Sequence, residues 1–171
     1  MEDLPRRKPM RLTGWDYSGQ GMYFLTLCTK GKRPLFGRVV GGGVLDAPRT
    51  VLSPAGETLE RQLRSMADSY QHVVLKKYVI MPNHLHLLVR LTGLPHGPSG
   101  TPAPTGGRAN EAVPALVSAL KRFTDRACGL SLFQRGYHDH IVRDEADFLR
   151  VWTYLDENPA KWAEDTYYVK D

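Results

Sequence analysis

Two histidines and a tyrosine–asparagine pair are the residues of this chain whose spacing could do chemistry. In Met81-Pro82-Asn83-His84-Leu85-His86-Leu87-Leu88-Val89, a strand's period of two sends Leu85, Leu87 and Val89 to one face and His84 with His86 to the other. Two imidazoles side by side can offer nitrogen lone pairs to one cation, because the neutral ring is a good transition-metal ligand near neutral pH. Two polar residues on the solvent face of an amphipathic strand would look the same, so a bare His-x-His needs a third ligand and a reactive group. Tyr154 and Asn158 are candidates for both roles. Four positions apart, they share one face of a helix. An amide oxygen from Asn158 is a reasonable hard ligand for Mg²⁺ or Mn²⁺. A Tyr154 phenolate is a reasonable nucleophile toward phosphorus once a metal polarises the phosphoryl oxygens. Equally, Tyr154 could be a packing aromatic and Asn158 a helix cap ahead of Pro159, and spacing alone does not separate these readings.

The elements that must position these groups follow from pattern. Tyr23–Thr29 alternates and is rich in aromatic and β-branched residues, as a strand is. A short strand around Gly37–Val40 is stopped by Gly41-Gly42-Gly43. Ser53-Pro54 opens a helix whose apolar face carries Leu59, Leu63, Met66 and Tyr70. His72–Ile80 and His84–Leu91 form a hairpin broken at Met81-Pro82-Asn83. Thr92–Asn110 is rich in Gly, Pro, Ser and Thr and reads as a flexible loop within one domain. A second helix has Val113, Leu116, Val117, Leu120 and Ala127 on one side and stops at Gly129. Leu132–Val142 is expected to hold the last strand. Asp144 caps a final helix with the stripe Phe148, Val151, Trp152 and Leu155, which Pro159 ends or bends. The order predicts an α+β fold, a ferredoxin-like or RRM-like βαββαβ sandwich with an antiparallel sheet, plus a C-terminal helix carrying the tyrosine. Helices should cover one sheet face and leave the other open unless something else covers it. Tyr154 and Asn158 lie beside the apolar stripe of their helix and should graze the protein surface when it docks.

Composition bounds the function. The 171 residues suit one domain, and 42% hydrophobic with 24% charged residues is ordinary for a globular protein. No apolar run approaches the length of a membrane span and no secretory h-region opens the chain, so a cytoplasmic protein without membrane contact is expected. Cys28 and Cys128 are too isolated for a disulfide framework or a zinc pattern. A net charge of +5 and a pI near 9.3 favour a polyanionic partner. Arg6, Arg7, Lys8 and Arg11 crowd an N-terminal arm over residues 1–20, followed by Lys30, Lys32 and Arg33. Such runs are either solvated surface or a phosphate-tracking arm.

The run Tyr78-Val79-Ile80-Met81-Pro82-Asn83-His84-Leu85-His86-Leu87-Leu88-Val89 closely resembles the HUH motif of single-tyrosine (IS200-like) transposases, and in particular of the REP-associated tyrosine transposases. Phe133-Gln134-Arg135-Gly136-Tyr137-His138-Asp139-His140-Ile141-Val142-Arg143 and Tyr154-Leu155-Asp156-Glu157-Asn158-Pro159-Ala160-Lys161-Trp162 match as well, as does the opening from Tyr17 to Cys28. The resemblance spans nearly the whole chain except the loop. It implies a divalent metal, Mg²⁺ or Mn²⁺, on His84, His86 and Asn158, and a nucleophile at Tyr154. It assigns Tyr137 to strand structure or DNA contact. It implies two transesterifications through a 5′-phosphotyrosine, with no nucleotide cofactor, on single-stranded or hairpin DNA. Lys121, Arg122, Arg135 and Arg143 then become candidate DNA contacts along with the arm. Dimeric insertion-sequence relatives often carry glutamine where Asn158 stands. The asparagine favours the REP-associated branch, whose members can be monomeric, and leaves monomer or homodimer open. Two alternatives stay open at this level: a catalytically silent hairpin-binding regulator with the same fold, and an unrelated metal hydrolase with Asp139 near its metal.

Overall fold

In the computed structural model, residues 20–42, 46–92 and 112–169 are described. Most of the N-terminal arm, with Arg6, Arg7, Lys8 and Arg11, and nearly all of the Thr92–Asn110 loop lie outside the described residues. Four strands make the main sheet: β1 (Gly21–Cys28), β4 (Val73–Met81), β5 (His84–Leu91) and β6 (His138–Val142), in the spatial order β4-β5-β1-β6, with every neighbouring pair antiparallel. With α1 (Pro54–Ser69) between β1 and β4 and α2 (Ala112–Cys128) between β5 and β6, this is the expected βαββαβ arrangement. The two central strands are the most apolar, as strands covered on both faces must be.

Register divides the side chains. Tyr23, Leu25 and Leu27 of β1 and Leu85, Leu87 and Val89 of β5 enter the main core with Leu59, Leu63 and Met66 of α1 and Val113, Leu116, Val117 and Leu120 of α2. The opposite face is not open. Helix α3 (Glu145–Glu157) lies across it and buries Val151 and Leu155 against Leu88, with Phe24, Val79 and Val142 around them. The apolar stripe of α3 finds its partner there because the other face is already filled by α1 and α2.

Two further differences from the sequence expectation have local causes. Arg49–Leu52 is a strand, β3, paired with β2 (Gly37–Val40) in a separate two-stranded sheet. Its four residues follow a Gly- and Pro-rich stretch and are too few to show a period. The last strand is shorter than Leu132–Val142. Residues 132–134 instead run against the end of β1 through a single bridge, Thr29 with Phe133, and the hydrogen bonds Lys30 N to Leu132 O and Gln134 N to Cys28 O. Regular pairing resumes only at His138, after Gly136. The two cysteines are free, Cys28 buried and Cys128 partly so. No helix among the described residues is long and apolar enough to cross a membrane.

The start of α1 braces the histidine hairpin. Ser53 caps the helix by accepting from Gly56 N and donates its hydroxyl to Leu35 O at 2.6 Å. The adjacent Phe36 N donates to Pro82 O at 2.9 Å, in the turn before His84. Helix and segment approach so closely that a Cβ at Gly56 would meet Phe36 O at 2.0 Å. Gly56→Ala must push α1 off this segment. It is expected to destabilise the protein by about 1–3 kcal/mol, read as a lowered urea midpoint; an unchanged midpoint would show that the close approach carries no constraint.

Candidate active site

His84 and His86 follow the tight turn Pro82–Asn83 and face α3, each fully buried. The open-strand alternative, two polar residues in solvent, is thereby excluded. Both rings are held from behind by their Nδ1 atoms: His84 Nδ1 donates to Asn83 Oδ1 at 2.9 Å, and His86 Nδ1 lies 2.8 Å from Thr26 Oγ1, its cross-strand neighbour on β1. With Nδ1 engaged, both Nε2 atoms turn toward the same space, as in metal-binding histidines whose other ring nitrogen is held by a hydrogen bond. Asn83 does more than turn the chain. Its Nδ2 donates to Lys32 O at 3.0 Å and Tyr167 O at 2.7 Å, tying His84 to two distant segments.

Helix α3 brings Tyr154 and Asn158 over the same face. The Tyr154 hydroxyl lies 3.2 Å from His86 Nε2, to which it donates when that ring carries its proton on Nδ1. At 41% exposure the tyrosine sits at the surface beside the histidines, as its helical position implies, whereas Asn158 is buried at 3%. Asn158 Nδ2 donates to Asp165 Oδ2 at 3.3 Å. Asp165 itself lies in the segment after α3, its side chain 3% exposed and its Oδ2 3.9 Å from His84 Nε2. Ligand atoms of His84, His86 and Asp165 all lie within 4.8 Å of one another. Two buried atoms in this space have no hydrogen-bond partner among the described residues: His84 Nε2 and Asn158 Oδ1. Orphaned buried acceptors cost about 1–3 kcal/mol each. Lone pairs of two imidazoles and an amide, joined by a carboxylate, are the donor set a divalent cation would satisfy. The residues fit such an ion.

The electrostatics agree. Burial, with the Lys32 ammonium adding to it, lowers His84 to about 3. Burial, then the neighbouring His84, brings His86 well below the ordinary histidine value. Both rings are therefore neutral donors at physiological pH. Tyr154 is raised, first by burial and then by the negative charge of Asp165, while its hydrogen bond with Asn158 works in the opposite direction. The phenol is held protonated until positive charge arrives beside it.

The open side of this arrangement is a cavity of about 340 Å³ lined by Phe24, Thr26, His86, His138, Tyr154 and Tyr167, among others. Tyr167 stacks against His84 with ring centroids 4.8 Å apart, and Phe24 meets Tyr154 edge-on at 5.9 Å. His138 joins the face because Thr26 pairs with both His86 and His138 across the sheet. Asp139, which the hydrolase alternative needed beside the metal, alternates away from that face, although it touches the rim of the cavity.

Sequence reasoning thus named His84, His86, Tyr154 and Asn158, which the fold brings together. It missed Asp165, Asn83 as an orienting group, Thr26 and Tyr167. Asp165 had no helical or strand period to mark it; Asn83 was visible only as a turn former. The proposed DNA contacts scatter. The Lys121 ammonium donates to Gln134 O and Gly136 O at 2.8 Å each, bracing the segment before β6. Arg122 is exposed on α2, over the ring of Phe123, on the sheet's far side. Arg135 is exposed in the loop before β6, and Arg143 is exposed where β6 ends. Tyr137 packs against the main core, one residue before β6.

The two buried imidazoles make stability pH-dependent. An unfolded chain's histidines take up protons below about pH 6.5, whereas folded His84 resists until about pH 3. The unfolded state binds more protons across that window, so stability falls as pH drops through it, by up to about 1.4 kcal/mol per pH unit for each histidine. In metal-free buffer the urea midpoint is expected to be lower at pH 5 than at pH 7, and the difference to shrink in a His84→Asn/His86→Asn variant. An undiminished difference in that variant would assign the pH dependence to other groups.

No family model matches the chain. It is 28% identical to an uncharacterized protein of Haemophilus influenzae over an alignment of 181 positions, covering 97% of this chain and 95% of that protein. Among solved structures, a REP-associated tyrosine transposase bound to a REP hairpin superposes with a TM-score of 0.57 at 18% identity, over 94% of this chain and 74% of that one. The chain therefore shares its fold with a REP-associated tyrosine transposase.

Proposed function

We propose that this protein is a metal-dependent single-strand DNA endonuclease and strand transferase that works through a 5′-phosphotyrosine at Tyr154. One observation carries the reading: the Tyr154 hydroxyl meets His86 Nε2 at 3.2 Å on the rim of the buried group formed by His84, His86 and Asp165. His84, His86 and Asn158 would hold Mg²⁺ or Mn²⁺, and Asp165 adds a carboxylate to the set. The ion would supply Lewis-acid polarisation of a phosphoryl oxygen and positive charge that favours the phenolate.

The remaining steps belong to the chain. Tyr154 Oη attacks the scissile phosphorus, and its proton leaves to solvent through the open cavity. The phosphorus–O3′ bond breaks, the departing O3′ takes a proton from water, and the 5′-phosphate stays on the tyrosine. A later attack by a 3′-hydroxyl on that phosphorus expels the tyrosine and rejoins strands. The phosphodiester energy is kept in the covalent link, so no nucleotide cofactor is required. Asn83 and Thr26 keep the imidazoles oriented, and Phe24 limits the swing of the phenol. Because the solved transposase of this fold is bound to a hairpin, hairpin DNA with a single-stranded flank is the substrate class to try first, for a role in DNA transposition or the processing of genomic repeats.

Tyr154→Phe is expected to abolish the covalent protein–DNA adduct on such oligonucleotides while leaving the circular dichroism spectrum unchanged; an adduct that survives would exclude Tyr154 as nucleophile. Chelation of divalent metal should stop cleavage, and cleavage that persists in chelator would remove the metal from the mechanism. By calorimetry, Asp165→Ala is expected to weaken Mn²⁺ binding about 10- to 100-fold, the range seen for groups that support a metal site; unchanged affinity would leave Asp165 a hydrogen-bond partner of Asn158 alone.

A further inference from the structure

A second cavity, of about 530 Å³, lies on the same sheet face, on the opposite flank of α3. Its floor is one cross-strand row: Arg90 of β5 pairs with Met22 of β1, which pairs with Val142 of β6. Its wall is Phe148 and Trp152, two rings of α3 with centroids 5.5 Å apart. The helix stands on the sheet through Val151 and Leu155, so Tyr154 and Asn158 project along one flank and Phe148 and Trp152 along the other. Three cations ring this aromatic wall: Lys76, Arg90 and Arg143. All are exposed, and none of their side chains has an ion-pair partner among the described residues. Of the two acids at the rim, Asp144 is engaged as the N-cap of α3, accepting from Asp147 N at 2.8 Å, which leaves Glu145. Lys77 covers part of Trp152, its ammonium 4.0 Å from the ring centroid and held by Asp156 at 2.5 Å, so the indole is fixed in place.

Aromatic faces flanked by free cations are what a single nucleic-acid strand requires: bases stack and phosphates pair. The groove also connects to the catalytic cavity. His138 and His140 of β6 line that cavity, and Val142, next on the same face of the strand, lines the groove. Arg90 is four residues beyond His86 on β5, about 13 Å along the strand, which is roughly four stacked nucleotides. The geometry points to this groove as a subsite for the single-stranded nucleotides flanking the scissile phosphate, with bases on Phe148 and Trp152 and the backbone on Lys76, Arg90 and Arg143. The inference rests on the transferase reading for the identity of the strand.

The test measures affinity for a fluorescent single-stranded oligonucleotide by anisotropy, in the full chain carrying Tyr154→Phe so that nothing is cleaved. Charge reversal of Lys76, Arg90 and Arg143 to Glu is expected to weaken binding tenfold or more and to flatten its salt dependence. The same reversal at Arg38, Arg61 and Arg126, away from the groove, should weaken it less than threefold. Equal losses in both triples, or none in the groove triple, overturn the subsite. A 5-iododeoxyuridine placed two to four nucleotides from the cleavage position should cross-link to the peptide bearing Phe148 and Trp152; cross-links confined to other peptides also overturn it. If the groove triple changes sedimentation mass and leaves DNA affinity unaltered, the groove belongs to a second copy of the chain and the inference fails. A wild-type protein that forms the Tyr154 adduct alongside an unaffected groove triple rejects the groove alone. Groove-dependent binding with no adduct rejects the transferase reading alone.

Discussion

The site depends on two imidazoles buried without charge and aimed by their back nitrogens. Burying a polar ring costs free energy unless its atoms are satisfied, and here three of the four ring nitrogens have a partner. Nδ1 of each histidine is engaged, by Asn83 and by Thr26, so that rotation of either ring would break a buried hydrogen bond. Of the front nitrogens, His86 Nε2 meets the tyrosine hydroxyl and His84 Nε2 has no partner among the described residues. A buried lone pair left unsatisfied is unfavourable in isolation, and a cation that it coordinates would offset that cost. The same burial keeps both rings neutral and holds the tyrosine protonated.

That constraint accounts for features that otherwise look unrelated. The histidine strand must be central, because only a strand with neighbours on both sides can have Thr26 opposite one ring while its other residues fill a core. The second sheet face must be covered, because imidazoles in open solvent would be partly protonated near neutral pH and free to rotate. Helix α3 and the chain after it supply the cover. Lys32, in the segment after β1, reaches Thr166 O at 3.2 Å and Asn83, in the histidine hairpin, reaches Tyr167 O at 2.7 Å, so the chain after α3 is held from two points.

The start of α3 is fixed by charge. Asp147 accepts from Arg150 and His140 and from the backbone N–H of Arg143, and these donors, Arg150 first, hold its carboxyl at about 2, below the ordinary range. The clamp joins the helix to β6 and thereby sets how far Tyr154 reaches toward His86. It also keeps Phe148 and Trp152 against the far end of the sheet. One helix thus has a flank that faces the histidines and an aromatic flank, divided by the two apolar residues on which it rests.

The sequence by itself determined the order of elements, the helix caps at Ser53 and Asp144, the inward and outward faces of the histidine strand, and the pairing of Tyr154 with Asn158 on one helix face. These are local properties, written in periods of two and 3.6 and in turn chemistry. The short β3, the shortened β6 and the cover over the histidine face were not legible, because four-residue strands show no period and a single amphipathic helix does not say which surface it will bury. Only the tertiary structure could bring Asp165, Thr26 and Tyr167 to the two histidines. Their neighbourhood is created by the crossing of strands and the return of the chain, and burial, which keeps these histidines neutral and oriented instead of leaving them surface polar residues, belongs to the assembled fold and to no segment of it.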